Sequence, residues 1–192
     1  MKKNEVAHYP EITKYIEAQI KSNFRANGIT NIEVFWKSGE LKTKLLELIQ
    51  EYPEKCECLR TFCRNTNPLN LDIFGVVTDG NKFEIVILEV KLLNTVGLSE
   101  WSQLLGYSIV SDAKYGLLIN IDGGASSRLI GILSSNADAS KVVRRKDNGE
   151  EITHLLGFMQ WNTVTQNFEY STLGQLWSLS ALSKELLSKF IT

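Results

Sequence analysis

Three side chains of complementary chemistry, Asp72, Glu89 and Lys91, stand at the ends of two neighbouring β-rich segments. The carboxylates of Asp72 and Glu89 are hard oxygen donors of the kind that Mg²⁺ prefers, and the main-chain carbonyl of Val90 could add a ligand. An ion held there would polarise a substrate and lower the pKa of a bound water, while the Lys91 ammonium would orient that water. These residues therefore predict a candidate site for metal-assisted hydrolysis.

A β-hairpin is expected to bring the three residues together. Residues 71–78 and 83–91 are rich in β-branched side chains and are separated by Asp79-Gly80-Asn81-Lys82, and Asp-Gly is among the strongest hairpin signals in a sequence. The second run is apolar at nearly every position, which is typical of a strand buried on both faces in the centre of a sheet. The period of two places Glu89 and Lys91 on one face at the end of that strand. The alternative for this pair is an ion pair in solvent where the strand frays.

The remaining pattern predicts an α/β fold in which helices flank a central mixed β-sheet. A stripe of Ile and Phe at i, i+4 spacing predicts a helix over residues 11–27, with Gly28 as its C-terminal cap. A helix over 99–112, between the hairpin and the apolar run 114–122, indicates a crossover to a parallel strand. The other expected elements are a strand over 29–37, a helix over 41–52 ended by Pro53, a short helix over 127–133, a hairpin of 153–161 with 167–172, and a helix over 173–190.

The pattern Asp72-x16-Glu89-x-Lys91 on a hairpin, followed by an amphipathic helix and a buried strand, resembles the PD-(D/E)xK nuclease superfamily. Gln103 and Tyr107 add the Q-x3-Y spacing found in RecB-like nucleases and lambda-type exonucleases of that superfamily. Glu17 precedes Gly28 by the spacing seen in the Holliday-junction-resolvase-like branch. The resemblance covers residues 11–122 and departs from the pattern at Leu71, where the literal motif has proline.

The resemblance implies a restriction-endonuclease-like core and a metal-dependent deoxyribonuclease that uses Mg²⁺, with Mn²⁺ as a substitute. Asp72, Glu89, Val90 and Glu17 would then be the metal ligands, and Lys91, Gln103 and Tyr107 would act on the phosphate or the attacking water. Two of these residues have a plain structural alternative. Glu17 flanks an apolar stripe and could simply face solvent, and Tyr107 could belong to the core. We expect a single domain over residues 1–192, with the core at about 11–122 and residues 123–192 as its extension.

Composition places the chain among ordinary globular domains. Its 192 residues are 43% hydrophobic and 22% charged, with 21 Lys and Arg against 22 Asp and Glu. Disordered chains, collagen and coiled-coil rods are excluded by these values. Because no apolar run is long enough for a membrane span or a signal core, we expect a cytoplasmic protein without a membrane partner. The balanced charge argues against a purely electrostatic nucleic-acid binder but leaves room for a local basic cleft.

Two further clusters have competing interpretations. Cys56, Cys58 and Cys63 are an odd number within eight residues, which fits a reducing compartment. Their spacing is unlike that of structural zinc sites, so small buried thiols are favoured over metal ligands. The basic run that contains Lys141, Arg144, Arg145 and Lys146 could contact DNA phosphates, but the acidic residues that follow it favour a solvated charged turn.

Two functions of different class follow. The first is a stand-alone endonuclease of restriction or repair type, acting on DNA, for which a homodimer is a natural expectation because two sites are needed to cut both strands. The second is a non-catalytic nucleic-acid-binding or assembly module that keeps the nuclease fold. The presence of Asp72, Glu89 and Lys91 together favours the first, since packing alone gives no reason to collect all three at one end of a sheet.

Overall fold

The hairpin around Asp79-Gly80 lies within the main sheet, as predicted. In the computed structural model, which describes residues 4–169 and 173–191, its strands pair antiparallel from Thr78↔Phe83 to Ile73↔Leu88. Asp79 accepts hydrogen bonds from the N–H groups of Asn81 and Lys82, which closes the turn. Local turn chemistry thus sets the register that brings Asp72 close to Glu89 and Val90.

The helices and strands of the described chain, in order, are α1 (Tyr9–Ala26), β1 (Glu33–Glu40), α2 (Leu41–Glu51), α3 (Pro53–Cys56), α4 (Arg60–Asn65), β2 (Asn70–Thr78), β3 (Phe83–Lys91), β4 (Thr95–Val96), α5 (Leu98–Ser111), β5 (Tyr115–Ile121), β6 (Gly124–Ala125), α6 (Ser127–Ser135), β7 (Lys141–Arg145), β8 (Glu151–Asn162), β9 (Asn167–Glu169) and α7 (Leu179–Phe190). Short 3-10 turns precede α1, link α3 to α4 and follow α6.

The main sheet is mixed, as expected for an α/β protein. Its strand order is β1-β2-β3-β5-β8-β7, with β9 paired to β8. The first three strands are antiparallel neighbours, whereas β3–β5 and β5–β8 are parallel pairs. Helix α5 makes the crossover between β3 and β5, which confirms the predicted crossover to a parallel strand. Every residue of β5 is buried, so this strand belongs to the interior.

Helices cover both faces of the sheet and bury a separate core on each. On one face, α1 presents the predicted stripe of Ile12, Ile16, Ile20 and Phe24, all fully buried, together with α7. The other face is covered by α2, α4, α5 and α6. Gly28 has a positive φ of 80° and its N–H bonds to Arg25, so it ends α1 as predicted. Among the described residues, no helix is both long and apolar enough to cross a membrane.

Several expected elements differ from the structure. The first strand is shifted from 29–37 to Glu33–Glu40, and residues 53–65, for which no element was predicted, form two short helices. The basic run predicted as a charged turn contributes strand β7, which pairs with β8 at the edge of the sheet. Edge strands tolerate exposed charge. The sequence of such a strand therefore lacks the apolar run by which the other strands were predicted.

The C-terminal helix begins at Leu179 rather than at 173, because the preceding residues bond to β8. The Leu176 N–H donates to the Leu156 carbonyl, and a Cβ on Gly157 would stand 2.0 Å from the Leu176 oxygen. This close backbone contact, possible only at glycine, holds residues 173–176 against β8 in a bridge and a turn instead of a helix. Residues 170–172 of the predicted strand 167–172 lie outside the described residues.

Candidate active site

Asp72, Glu89 and Lys91 meet at one end of the main sheet. The Lys91 Nζ lies 2.5 Å from Glu89 Oε1 and 3.6 Å from Asp72 Oδ2. The three side chains therefore form one charged cluster, in which a single ammonium contacts both carboxylates. The alternative of a Glu89/Lys91 pair fraying into solvent does not describe this geometry, because the Glu89 side chain has 0% exposure.

The cluster forms where the β2–β3 ladder stops. Backbone pairing between the two strands ends at Ile73↔Leu88. Beyond that point the Val90 N–H donates instead to Asp72 Oδ2, at 3.2 Å. The aspartate side chain thus fixes the position of β3 just beyond the paired segment. Asp72 and Lys91 are partly open to solvent at 26% and 19% exposure, whereas Glu89 is buried beside them; we refer to these three side chains and the sheet end around them as the cleft.

Burial dominates the electrostatics of Glu89. Loss of solvation, followed by repulsion from Asp72, raises the pKa of the Glu89 carboxyl to about 7 even though Lys91 acts in the opposite direction. Burial disfavours the Lys91 ammonium, but its contacts with Glu89 and Asp72 outweigh this and raise the pKa of Lys91 above its ordinary value. At neutral pH the cluster therefore carries a lysine that is charged and a glutamate that is close to its titration midpoint.

The donor set of the cleft fits a hard divalent cation. Within residues 4–169 and 173–191, no group of three or more His, Cys, Asp or Glu side chains is arranged to hold a metal. Mg²⁺, however, is commonly held by one or two carboxylates and keeps several of its waters. Both Glu89 oxygens are buried and lack a hydrogen bond of normal geometry within this part of the chain. A carboxylate buried in that state either takes a proton, which its raised pKa favours, or binds a positive charge in addition to Lys91, which a cation would supply.

Val90 lies between the two charged residues of β3, and its side chain is fully buried in the core that α1 and α7 cover. Its N–H is already used by Asp72. The main chain at Val90 is therefore held against the carboxylate pair, which is where the predicted carbonyl ligand would have to be.

The structure does not bring Glu17 to this cleft. Its carboxylate pairs with Lys21 at 2.9 Å, and the same ammonium pairs with Glu33 at 3.0 Å. Glu33 is aligned with Thr78, six residues along β2 from Asp72, which corresponds to about 20 Å of strand. Glu17 is partly exposed at 33%, in keeping with the alternative of a residue that faces solvent.

Gln103 and Tyr107 do share a face of α5, as their spacing predicts. The Gln103 amide donates to the Tyr107 hydroxyl at 2.9 Å. Gln103 is exposed, and the Tyr107 ring packs against the core on the α5 face of the sheet. This bond uses one N–H of Gln103 and a lone pair of the Tyr107 hydroxyl, so the other polar atoms of both side chains could still contact a substrate.

No family model, curated protein or solved structure significantly matches the chain. Its function has to be inferred from the geometry of these side chains.

A residue near the cleft that the sequence motifs do not include is Tyr9, at the start of α1. Burial and the negative charges of Asp72, Glu5 and Glu89 raise the pKa of the Tyr9 hydroxyl, which places this ring within electrostatic reach of the cluster. Pro10 in the first turn of α1 marked the helix start in the sequence. The direction in which that helix end points depends on packing between elements, which no local pattern reveals.

The two remaining predicted clusters lie apart from this cleft. Cys56, Cys58 and Cys63 are free thiols, two of them buried, and burial raises the pKa of Cys56 to about 11. This agrees with small packed thiols rather than reactive ones. In the basic run, Arg144 and Lys146 both form ion pairs with Asp112, which follows α5. Their charge is thus partly neutralised within the protein.

Proposed function

We propose that the protein is a Mg²⁺-dependent deoxyribonuclease that hydrolyses phosphodiester bonds at the Asp72/Glu89/Lys91 cleft. The observation that carries the proposal is the cluster itself. A fully buried carboxylate without a hydrogen bond of normal geometry and a second, half-buried carboxylate share one lysine at the end of a sheet. Packing gains little from this arrangement, because removing a carboxylate from water is costly even when one lysine contacts it.

The order of elements supports the same function. Helix α1, strand β1, the hairpin of β2 and β3, the crossover helix α5 and the parallel strand β5 occur in this order along the chain, with α2, α3 and α4 between β1 and β2, and the four strands belong to one mixed sheet. This is the succession expected for residues 11–122 from the resemblance to PD-(D/E)xK nucleases. The three motif residues lie at one end of it, as cleavage of a bound strand would require.

Each residue of the cleft has a role that follows from its chemistry. Asp72 and Glu89 would hold the ion, with the Val90 carbonyl as a further ligand, and Mg²⁺ bound there supplies stabilisation of phosphate charge and a more acidic water. Lys91, whose raised pKa keeps it charged, donates to the attacking water and offsets charge that develops on the phosphate. The buried floor at Glu89 excludes bulk water and strengthens these interactions.

A cleavage assay with matched variants tests the proposal. Purified protein is incubated with plasmid and single-stranded DNA in Mg²⁺ or Mn²⁺, beside Asp72→Asn and Lys91→Met. We expect the parent to cut and both variants to lose at least about 100-fold in rate, since each removes a group that acts on the reacting phosphate.

The chain offers a close control in a second Glu–Lys pair on the same strand. Lys114 Nζ lies 2.6 Å from Glu84 Oε1, and Glu84 is buried at the opposite end of β3. Glu84→Gln and Lys114→Met should cut at the parental rate. The nuclease function would be rejected if no protein cleaved the substrate, or if the two control variants lost as much of the cleavage rate as Asp72→Asn and Lys91→Met. A non-catalytic binding or assembly module would then be the remaining function.

A further inference from the structure

A groove opens beside the Asp72/Glu89/Lys91 cleft on the side of α1 and β1. Its volume is about 320 Å³, and its lining includes Tyr9, Trp36, Lys37, Lys44 and Ile73. Ile73 follows Asp72 in β2, and its side chain belongs to the core on the α1 face of the sheet, so the groove opens on that face at the strand end that carries Asp72. Tyr9 lies between the two, because burial and the charges of Asp72, Glu5 and Glu89 raise the pKa of its hydroxyl. A ligand in this groove would therefore lie at the same end of the sheet as the cleft.

The ring of Trp36 is held in a fixed position in this groove. Its ring lies over Gly75 of the neighbouring strand, where a Cβ would stand 2.5 Å from Cζ3 and 2.8 Å from Cε3. Gly75 is aligned with Trp36 across the β1–β2 pair, so the sheet register itself positions the ring. Because the ring is held in this way, stacking on it costs little side-chain entropy.

Lysines at the groove suit a phosphate-linked ligand. Lys37 Nζ pairs with Glu51 at 3.0 Å, and Lys44 Nζ pairs with Glu47 at 2.7 Å. Both glutamates are more than a third exposed, at 49% and 36%, and such surface pairs contribute little stability. Either ammonium can therefore exchange its carboxylate for a phosphate oxygen at small cost.

We propose that this groove binds an unpaired nucleotide of single-stranded DNA, with its base on Trp36 and Tyr9 and its phosphate near Lys37 or Lys44. The inference rests on the proposed nuclease function, because it names the substrate form that the same cleft would take. Aromatic rings beside cations are how proteins bind single strands without sequence preference. The volume suits one small ligand rather than a duplex, whose bases are already stacked and paired. The protein therefore prefers single-stranded or frayed DNA over intact duplex.

Binding is measured apart from cleavage, in EDTA, by fluorescence anisotropy of a labelled oligothymidine and of the same strand in a duplex. We expect tighter binding of the single strand, a roughly tenfold loss in Trp36→Leu, and near-parental affinity in Trp36→Phe, which keeps a ring to stack on. Trp177→Leu is the matched control, since Trp177 is 43% exposed and lies two residues before the start of α7, outside this groove. Parental affinity in Trp36→Leu, or equal binding of the duplex, would overturn the proposal.

Tryptophan fluorescence provides a second readout if Trp36→Leu does not fold. Stacking should quench the emission of the parent on addition of oligothymidine, and Trp36→Phe should lose that quenching; quenching that persists in Trp36→Phe would overturn the proposal. The nuclease function and the binding of a nucleotide in the groove can be rejected independently of each other. Binding that depends on Trp36 without any cleavage would reject the nuclease alone, whereas cleavage with no dependence on Trp36 would reject the groove alone.

Discussion

Lys91 Nζ lies 2.5 Å from the carboxylate of Glu89, a side chain with no solvent exposure that precedes it by two residues on β3. The contact holds one positive charge against a buried group whose pKa is about 7. The gain or loss of one proton, or the binding of one cation, therefore changes the net charge of this pair.

The contribution of Glu89 to the stability of the metal-free protein should fall as the pH rises from about 4.5 to about 7. The folded state raises the pKa of Glu89, so it binds this proton more strongly than the unfolded chain does and loses that advantage as the proton leaves. The full effect of this one group is at most about 3 kcal/mol. Lys91 does not contribute in this range, because its raised pKa matters only above its ordinary value.

Urea unfolding in EDTA at pH 5 and pH 8, for the parent and Glu89→Gln, measures this effect. His154 acts in the opposite direction, because burial lowers its pKa and its neutral form is favoured in the fold. The difference between the two proteins isolates Glu89, since both contain His154. A parent whose pH dependence equals that of Glu89→Gln would show that Glu89 titrates normally.

Affinity for Mg²⁺ or Mn²⁺ should increase with pH over the same interval. A cation binds Glu89 in place of its proton, and the raised pKa leaves less of the carboxyl ionised at pH 6 than at pH 8. Calorimetric titration with Mn²⁺ at the two pH values should show tighter binding at pH 8 and the release of protons at pH 6. Equal affinities at both values would place the ion elsewhere.

Glu17→Gln should leave the cleavage rate unchanged. Its carboxylate is engaged by Lys21, which also contacts Glu33 near the far end of β1, so the substitution affects a surface ion pair alone. The free energy of unfolding should fall by less than about 1 kcal/mol. A loss of rate comparable to that of Asp72→Asn would restore Glu17 as a metal ligand.

Gly75→Ala should destabilise the fold and disturb the groove together. The added Cβ would collide with the Trp36 ring at 2.5 Å, and relief of such overpacking typically costs about 1–3 kcal/mol. The midpoint temperature of thermal unfolding and the affinity for oligothymidine should both decrease. Gly106→Ala is the control, because a Cβ at that position of α5 meets no atom within 4 Å; equal stability of the two variants would contradict the position of the ring.

The part of the site that local chemistry encodes could be predicted from the sequence. Asp79-Gly80 marks the turn and the apolar run ending at Val90 marks a central strand, so the meeting of Asp72 with Glu89 and Lys91 follows from strand register. Tyr9 could not be found in this way, because its approach to Asp72 depends on how α1 packs across the sheet. Glu17 shows the same limit, since its spacing to Gly28 places it on α1 without saying which strand end it faces.

Replacement of a non-bridging oxygen by sulfur at one DNA phosphate tests most directly whether a metal in the Asp72/Glu89 cleft acts on the scissile bond. Sulfur binds Mg²⁺ poorly and softer ions better, so cleavage at that phosphate should be slow in Mg²⁺ and recover in Mn²⁺, and Asp72→Asn should abolish it in both. Equal rates at the oxygen and sulfur substrates in both metals, or cleavage that survives Asp72→Asn, would contradict a metal-dependent nuclease at this site.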